Sequence, residues 1–265
     1  RVSDTGDKDS FEVAGRGELQ LGILIETMRR EGFELTVSRP QVVMRSDPES
    51  GQRQEPMEEV IVDVDEEHSG AVVQKLSERK GELLEMRPSG GGRQRLVFVV
   101  PTRGLIGYQN ELLTDTRGTA VMNRLFHSYA AFKGEIVGRR NGVLISNGDG
   151  EAVAYALFNL EDRGPLMIDP QTKVYQGMII GQHTRENDLE VNVLKGKKLT
   201  NIRAAGKDES IILTPPMKLP LERALSYIQD DELVEVTPKA IRLRKRYLDP
   251  NERKKQERAK LSGAA

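Results

Sequence analysis

The stretch Glu58-Glu59-Val60-Ile61-Val62-Asp63-Val64-Asp65-Glu66-Glu67-His68-Ser69-Gly70-Ala71-Val72-Val73-Gln74-Lys75-Leu76 changes its hydrophobic period partway along, and that change decides the fold of the chain's centre. Val60, Val62 and Val64 recur at every second position, the signature of a strand with one buried side. From 70 to 80, Val72, Val73 and Leu76 fall at helical spacing instead. The pattern continues with a strand at 82–86, a hairpin turn at Gly90-Gly91-Gly92, where positive φ costs least, and a strand at 95–100 ended by Pro101. A second helix spans 105–114, Gly118 suits its exit, and 120–128 is a fourth strand. The order βαββαβ is the ferredoxin-like arrangement, and it assigns 55–130 to one complete domain.

Upstream, 11–14 reads as a strand and 18–30 as a helix with Leu19, Ile23, Leu24 and Met28 on one stripe, ended by Gly32. Strands at 34–37 and 41–44 follow, broken around Pro40. This is the back half of a second ferredoxin-like unit, expected to occupy 1–45 as a partial domain whose front half is missing. The polar stretch 46–54, SDPESGQRQ, reads as a linker. From 131 to 248 the chain becomes short strands between turns, at 143–146, 173–175, 178–181, 189–193, 211–214, 233–236 and 240–243. Asn147-Gly148 predicts a hairpin turn into a strand at 152–158, and one helix interrupts the strands at 219–228. The fold class is therefore α+β: one partial and one complete ferredoxin-like domain, then a mostly β, barrel-like domain. Residues 249–265 form a basic tail, and Asp249-Pro250-Asn251-Glu252 reads as the capped start of a helix.

Charge is sorted along the chain. Residues 239–260 hold ten basic and three acidic side chains, a net of +7 on a chain of net −1. A second basic run, Lys195-Gly196-Lys197-Lys198-Leu199-Thr200-Asn201-Ile202-Arg203, has four cations and no acid. Such segregation sets a local positive field suited to a polyanion. In Ile241-Arg242-Leu243-Arg244-Lys245-Arg246 a strand buries Ile241 and Leu243 and aims Arg242, Arg244 and Arg246 at one side. Three adjacent guanidiniums repel one another unless an anionic surface faces them, which points to nucleic-acid phosphate. Arg242, Arg244, Lys245 and Arg246 are candidate RNA contacts on this charge argument. Arg16, between Gly15 and Gly17 before a helix, is a candidate anion contact. His183 opens a polar stretch just before the basic run and is a candidate RNA contact.

Composition removes several functions. With no cysteine there are no disulfides, thiolate zinc sites or Cys nucleophiles, and with no tryptophan there is no Trp stacking platform. No apolar run approaches the roughly 18 residues of a membrane span, so no membrane partner is expected and the cytoplasm is the default location. The opening Arg1-Val2-Ser3-Asp4 is neither a signal peptide nor an initiator Met, and is read as a truncated start. No phosphate-binding GxxxxGK[ST] loop occurs, and Asp115-Thr116-Arg117-Gly118 reads as a helix terminus. Asp4-Thr5-Gly6-Asp7-Lys8-Asp9 lacks the glycine and distal glutamate of a calcium loop. With no catalytic constellation or metal-ligand spacing, the chain is expected to catalyse nothing alone.

Phe11-Glu12-Val13-Ala14-Gly15-Arg16-Gly17-Glu18-Leu19-Gln20-Leu21 resembles domain III of the elongation factor G class of translational GTPases, and 55–129 resembles domain V. Only ten residues separate Met44 from Glu55, so the domain lying between these two in elongation factor G is absent. Pro101-Thr102-Arg103-Gly104-Leu105-Ile106-Gly107-Tyr108, Gly148-Asp149-Gly150-Glu151-Ala152-Val153-Ala154-Tyr155 and Gly196-Lys197-Lys198-Leu199-Thr200-Asn201-Ile202-Arg203 resemble the BipA/TypA branch and not the LepA branch.

The resemblance implies a ribosome-associated GTPase tied to stress response and large-subunit assembly, with the 70S ribosome or large subunit, rRNA and A-site tRNA as partners. It assigns no cofactor to these residues: GTP and Mg²⁺ belong to a GTP-binding domain missing here. Carried over by motif, the RNA contacts are Lys195, Lys197, Lys198, Thr200, Asn201 and Arg203, joined by Arg185 and Asn187 upstream. The competing expectation is a small-molecule-sensing module, because ferredoxin-like units also bind metabolites. That reading predicts a compact apolar pocket and leaves the basic run without a role.

Overall fold

The computed structural model describes residues 1–6, 9–196 and 211–262. The chain forms two compact units, one from Arg1–Arg39 with Arg139–Ala265, the other from Pro40–Gly138. The first begins with β1 (Val2–Asp4), β2 (Phe11–Val13), α1 (Glu18–Arg30) and β3 (Leu35–Ser38). The second holds β4 (Arg45–Ser46), β5 (Arg53–Asp65), α2 (Glu66–Glu78), β6 (Glu82–Gly90), β7 (Arg93–Pro101), a 3-10 turn (Thr102–Leu105), α3 (Tyr108–Asp115) and β8 (Val121–Ala131). The first unit then resumes with β9 (Val143–Ser146), β10 (Gly150–Glu151), α4 (Ala154–Leu160), β11 (Lys173–Val174), β12 (Met178–Gln182), β13 (Leu189–Val191), α5 (Leu221–Tyr227), β14 (Glu232–Val236), β15 (Ile241–Lys245) and α6 (Pro250–Leu261).

In the Pro40–Gly138 unit the strands run β8-β5-β7-β6, each antiparallel to its neighbour, with β4 a short addition beside β5. This is the predicted ferredoxin-like order. Val60, Val62 and Val64 are fully buried against Leu96, Phe98 and Val100 of β7 and against Val72, Leu76, Tyr108 and Leu112 of the helices. Gly90, Gly91 and Gly92 adopt φ of 82°, 61° and 74°, a left-handed run that a side chain would strain. Across the helices, Glu111 takes both Lys75 and Arg79. Burial alone would raise the Glu111 carboxyl, but hydrogen bonding from Lys75 and the nearby Arg79 charge outweigh it and hold it below the usual range.

The other unit is built on a six-stranded sheet, β13-β9-β12-β15-β14-β3. Only β13 and β9 pair in parallel. One face buries Val143, Ile145, Ile179, Val234, Val236 and Leu243 under α5. The other buries Leu144, Met178 and Ile180 with Leu157 of α4.

Several expectations change here. Residues 1–39 do not stand apart: β3 pairs with β14, Leu35 opposite Val236 through Ser38 opposite Leu233, so the edge an isolated half-domain would expose finds a partner about 200 residues on. The 41–44 stretch is not a strand. The helical stripe of α1 is also rotated from expectation, since Leu19, Ile23 and Leu24 are exposed while Gly22 is buried and Ile25 packs on the core. The expected 152–158 strand is also replaced: from Ala154 onward it belongs to α4 and not to a hairpin strand, because Ala156, Leu157 and Leu160 turn inward at i, i+1 and i+4. The 131–248 region is β-rich as expected, but with α4 added and 211–214 outside any strand its β9, β12, β13, β14 and β15 join β3 in a six-stranded sheet ending at β13 and β3, beside a two-stranded sheet of β10 and β11.

Candidate nucleic-acid interface

The strand β15 has two sides, and its cations divide between them. Ile241 and Leu243 turn toward the core as predicted, and Lys245, next on the same side, turns inward with them. Its side chain is 2% exposed, and its ammonium lies 2.6 Å from Asp188 Oδ2, 2.8 Å from Asp231 Oδ2 and 3.0 Å from Glu232 Oε1. Glu232 is fully buried and also accepts the Arg139 guanidinium at 2.8 and 3.1 Å. Burial would depress the Lys245 pKa, but the three carboxylates outweigh it and hold it above the ordinary lysine value. Lys245 is thus an internal charge, a correction to its grouping with the RNA-facing cations.

On the opposite side of β15, Arg244 Nε lies 3.1 Å from Glu235 Oε1, and Arg242 stands across the ladder from the same Glu235. Tyr175 donates its hydroxyl to Glu235 Oε2 at 2.6 Å. The anionic face inferred for these guanidiniums is therefore supplied, at least for Arg244, by the protein's own carboxylate. Arg242 is half-buried and Arg246 is exposed.

The turn between β12 and β13 is fixed from both ends. His183, 2% exposed, donates from Nδ1 to Asn187 O at 2.6 Å, and Gly142 donates its N–H to Arg185 O at 2.8 Å. Gly142 has no room for a side chain: a Cβ there would sit 2.2 Å from Asn187 O. Asp188 accepts Val143 N–H at 2.9 Å with Oδ1 while its other oxygen holds Lys245. His183 is therefore part of the turn's frame and is not presented to a ligand, the second correction. Arg185 and Asn187 are exposed at the tip.

Past β13 the chain stays anchored as far as Leu194. Val193 is fully buried and accepts Val153 N–H at 2.9 Å, and Leu194 packs over Gly148 and Gly150. Lys195 follows at once and is exposed. Lys197, Lys198, Thr200, Asn201 and Arg203 lie outside the described residues. Arg16 is exposed beside α1, where its N–H donates to Gln20 Oε1 at 2.7 Å. Gln20 thus already serves one backbone donor at that end.

Sequence reasoning counted the cations of α6 in the basic 239–260 segment but named none of them as a contact. Asp249 caps the helix, accepting from Asn251 N–H at 2.6 Å and Glu252 N–H at 3.1 Å, with Pro250 in the first turn. Lys254, Lys255 and Arg258 are exposed. The predicted cap was the available signal, because a helix starting at Pro250 brings those three onto one side. Among the described residues there is no group of acidic or histidine side chains placed to hold a metal, and no helix long and apolar enough to cross a membrane.

Comparison with known proteins divides the chain into two matched segments. Residues 52–140 match the family described as elongation factor G C-terminus, and residues 141–250 match the TypA/BipA C-terminal domain. The large ribosomal subunit assembly factor BipA of Salmonella typhimurium (strain LT2) is 56% identical over 259 residues, which covers 97% of this chain and 42% of the relative. The protein of the same name from Escherichia coli (strain K12) is 56% identical over 260 residues, 98% of this chain and 42% of the relative. That of Haemophilus influenzae is 54% identical over 263 residues, 99% of this chain and 42% of the relative. The chain thus spans less than half the length of these relatives. Matched along nearly its whole length, and carrying the TypA/BipA C-terminal domain on the same residues that hold its basic run, the chain belongs to the TypA/BipA family.

Proposed function

We propose that this chain is the ribosome- and RNA-binding part of a cytoplasmic TypA/BipA translational GTPase that acts in stress response and in assembly of the large ribosomal subunit. The observation that carries the reading is the position of Lys195, exposed immediately after the last anchored residue and opening a run of four cations without an acid. The names of the relatives support the ribosomal setting.

Lys195, Lys197, Lys198 and Arg203 neutralise phosphates of rRNA and of A-site tRNA, which releases condensed counterions. Gly196 allows close backbone approach, and Thr200 and Asn201 offer hydrogen bonds to ribose hydroxyls or base edges. Arg185 and Asn187, on the turn held by Gly142 and Asp188, extend this surface, and Arg242 of β15 and Arg246 just past its end add to it. GTP and Mg²⁺ are handled by residues outside this chain, since these 265 residues hold no phosphate cradle. The chain by itself hydrolyses no GTP, and turnover that survives purification and responds to mutation of Asp115 would contradict that.

The test is binding to purified large ribosomal subunits. Replacing Lys195, Lys197, Lys198 and Arg203 by Ala weakens binding while leaving the fold intact. Asn201→Ala also weakens it, but leaves the salt dependence unchanged because no charge is lost. Unaltered affinity of a folded fourfold variant would remove the basic run from the interface.

A further inference from the structure

The helix α6 is held to the protein by one of its own cations. Arg253 donates from Nη1 to Tyr247 O and Leu248 O, each at 2.7 Å, and its Nη2 pairs with Glu190 of β13. Its side chain is 16% exposed, so this guanidinium is committed to the protein. Glu190 lies five residues before Lys195 on the same strand and its anchored extension. The anchor therefore sets α6 beside the edge of the sheet from which the basic run departs.

The remaining cations of α6 face elsewhere. At about 100° of rotation per residue, Lys254, Lys255 and Arg258 fall within an arc of about 100°, centred roughly opposite Arg253. All three are exposed, and none forms an ion pair with any described residue, although Glu252 and Glu257 share the helix. Like charges at i and i+4, as in Lys254 and Arg258, destabilise an isolated helix by a few tenths of a kcal/mol. A facing anion turns that repulsion into attraction.

We infer that α6 is a second RNA-binding element, in which Lys254, Lys255 and Arg258 contact the phosphate backbone while Arg253, neutralised by Glu190, positions the helix beside the exit of the basic run. A helix that binds a membrane surface needs an apolar face, and within α6 only Ala259 and Leu261 interrupt polar residues after Pro250. Phosphate contact needs only cations on a rigid support. The inference rests on the proposed ribosome-binding function and adds a surface that the basic run does not include.

The experiment compares the 265-residue chain with K254A/K255A/R258A, R253A and K254R/K255R, measuring binding to purified large ribosomal subunits across a salt series. The triple variant should bind at least about tenfold more weakly near physiological salt, and its log–log salt slope should flatten by roughly 0.7–0.9 for each phosphate no longer neutralised. K254R/K255R should keep both affinity and slope. R253A should bind several-fold more weakly with a slope close to that of the unaltered chain, because the charge it removes was already neutralised internally. Circular dichroism checks that α6 persists in the triple variant, which alanine favours. A folded triple variant with unchanged affinity and slope overturns the inference alone. So does a triple variant that loses binding to phosphatidylserine vesicles but not to subunits, and so does an R253A chain indistinguishable from the parent. Absence of salt-dependent subunit binding by the unaltered chain overturns the proposed function as well.

Discussion

Lys245 and Lys254 lie nine residues apart in the same basic stretch, yet the structure uses them in opposite ways. Lys245 closes β15 on its inward side and is surrounded by Asp188, Asp231 and Glu232. Lys254 stands on the outer side of α6 with no described partner. A desolvated ammonium is stable only when carboxylates replace its water, so the chain supplies three. An exposed ammonium keeps its water and its counterions, and only such a charge can trade them for phosphate. Net charge alone does not identify an RNA surface; the pairing of each cation does.

The largest effect should come from breaking the internal pair. Lys245→Met leaves Asp188, Asp231 and buried Glu232 facing one another, and should cost about 3–5 kcal/mol of stability, read from urea unfolding. A loss under about 1 kcal/mol would place Lys245 in the solvent class and erase the contrast.

Gly142→Ala should come next. The new methyl would meet the Asn187 carbonyl at 2.2 Å, so the turn bearing Arg185 and Asn187 must shift, at about 1–3 kcal/mol. Unchanged stability together with unchanged subunit binding would show that the turn does not depend on this packing.

A paired charge in the other unit gives an intermediate case. The Glu111 carboxyl is held below its ordinary value, so its contribution is present above the unfolded carboxylate pKa and is lost as pH falls through the lower folded value. Glu111→Gln should cost about 1 kcal/mol near neutrality and make the stability curve flatter in acid than that of the parent. Parallel curves from neutrality into acid would assign no such linkage to Glu111.

Smallest in stability are the exposed cations. K254A/K255A/R258A should change unfolding free energy by no more than about ±0.5 kcal/mol, as surface substitutions do. A clear destabilisation would mean that these side chains hold the fold together and belong with Lys245.

Much of this architecture is legible in the sequence. Between 58 and 128 the buried side of each strand recurs every second residue and the helices switch period cleanly, so the ferredoxin-like unit follows from local pattern. The union of β3 with β14 is not local: its two strands lie about 200 residues apart, and each alone reads as an ordinary short strand. The helix α4 was obscured because Ala154-Tyr155-Ala156-Leu157-Phe158 suits either period until Leu160 is counted with it. Among the candidate contacts, exposure of Lys195, Arg185 and Asn187 fits their polar surroundings. Lys245 is more instructive. The alternation that sends Ile241 and Leu243 inward sends Lys245 with them, but its carboxylates come from two other segments that sequence spacing does not connect. Helix capping at Asp249 was legible, whereas the docking of Arg253 on Glu190 depends on tertiary structure.

The most direct test of the whole account is the salt dependence of large-subunit binding for two variants measured side by side. One replaces Lys195, Lys197, Lys198 and Arg203 by Ala; the other replaces Arg244, the cation of β15 paired with Glu235. The account predicts that the first flattens the log–log slope by roughly 0.7–0.9 units per residue removed, while the second leaves it within error of the parent. A parent-like slope in the fourfold variant, with flattening in Arg244→Ala, would contradict it and place the RNA at Arg244, the cation the account assigns to Glu235.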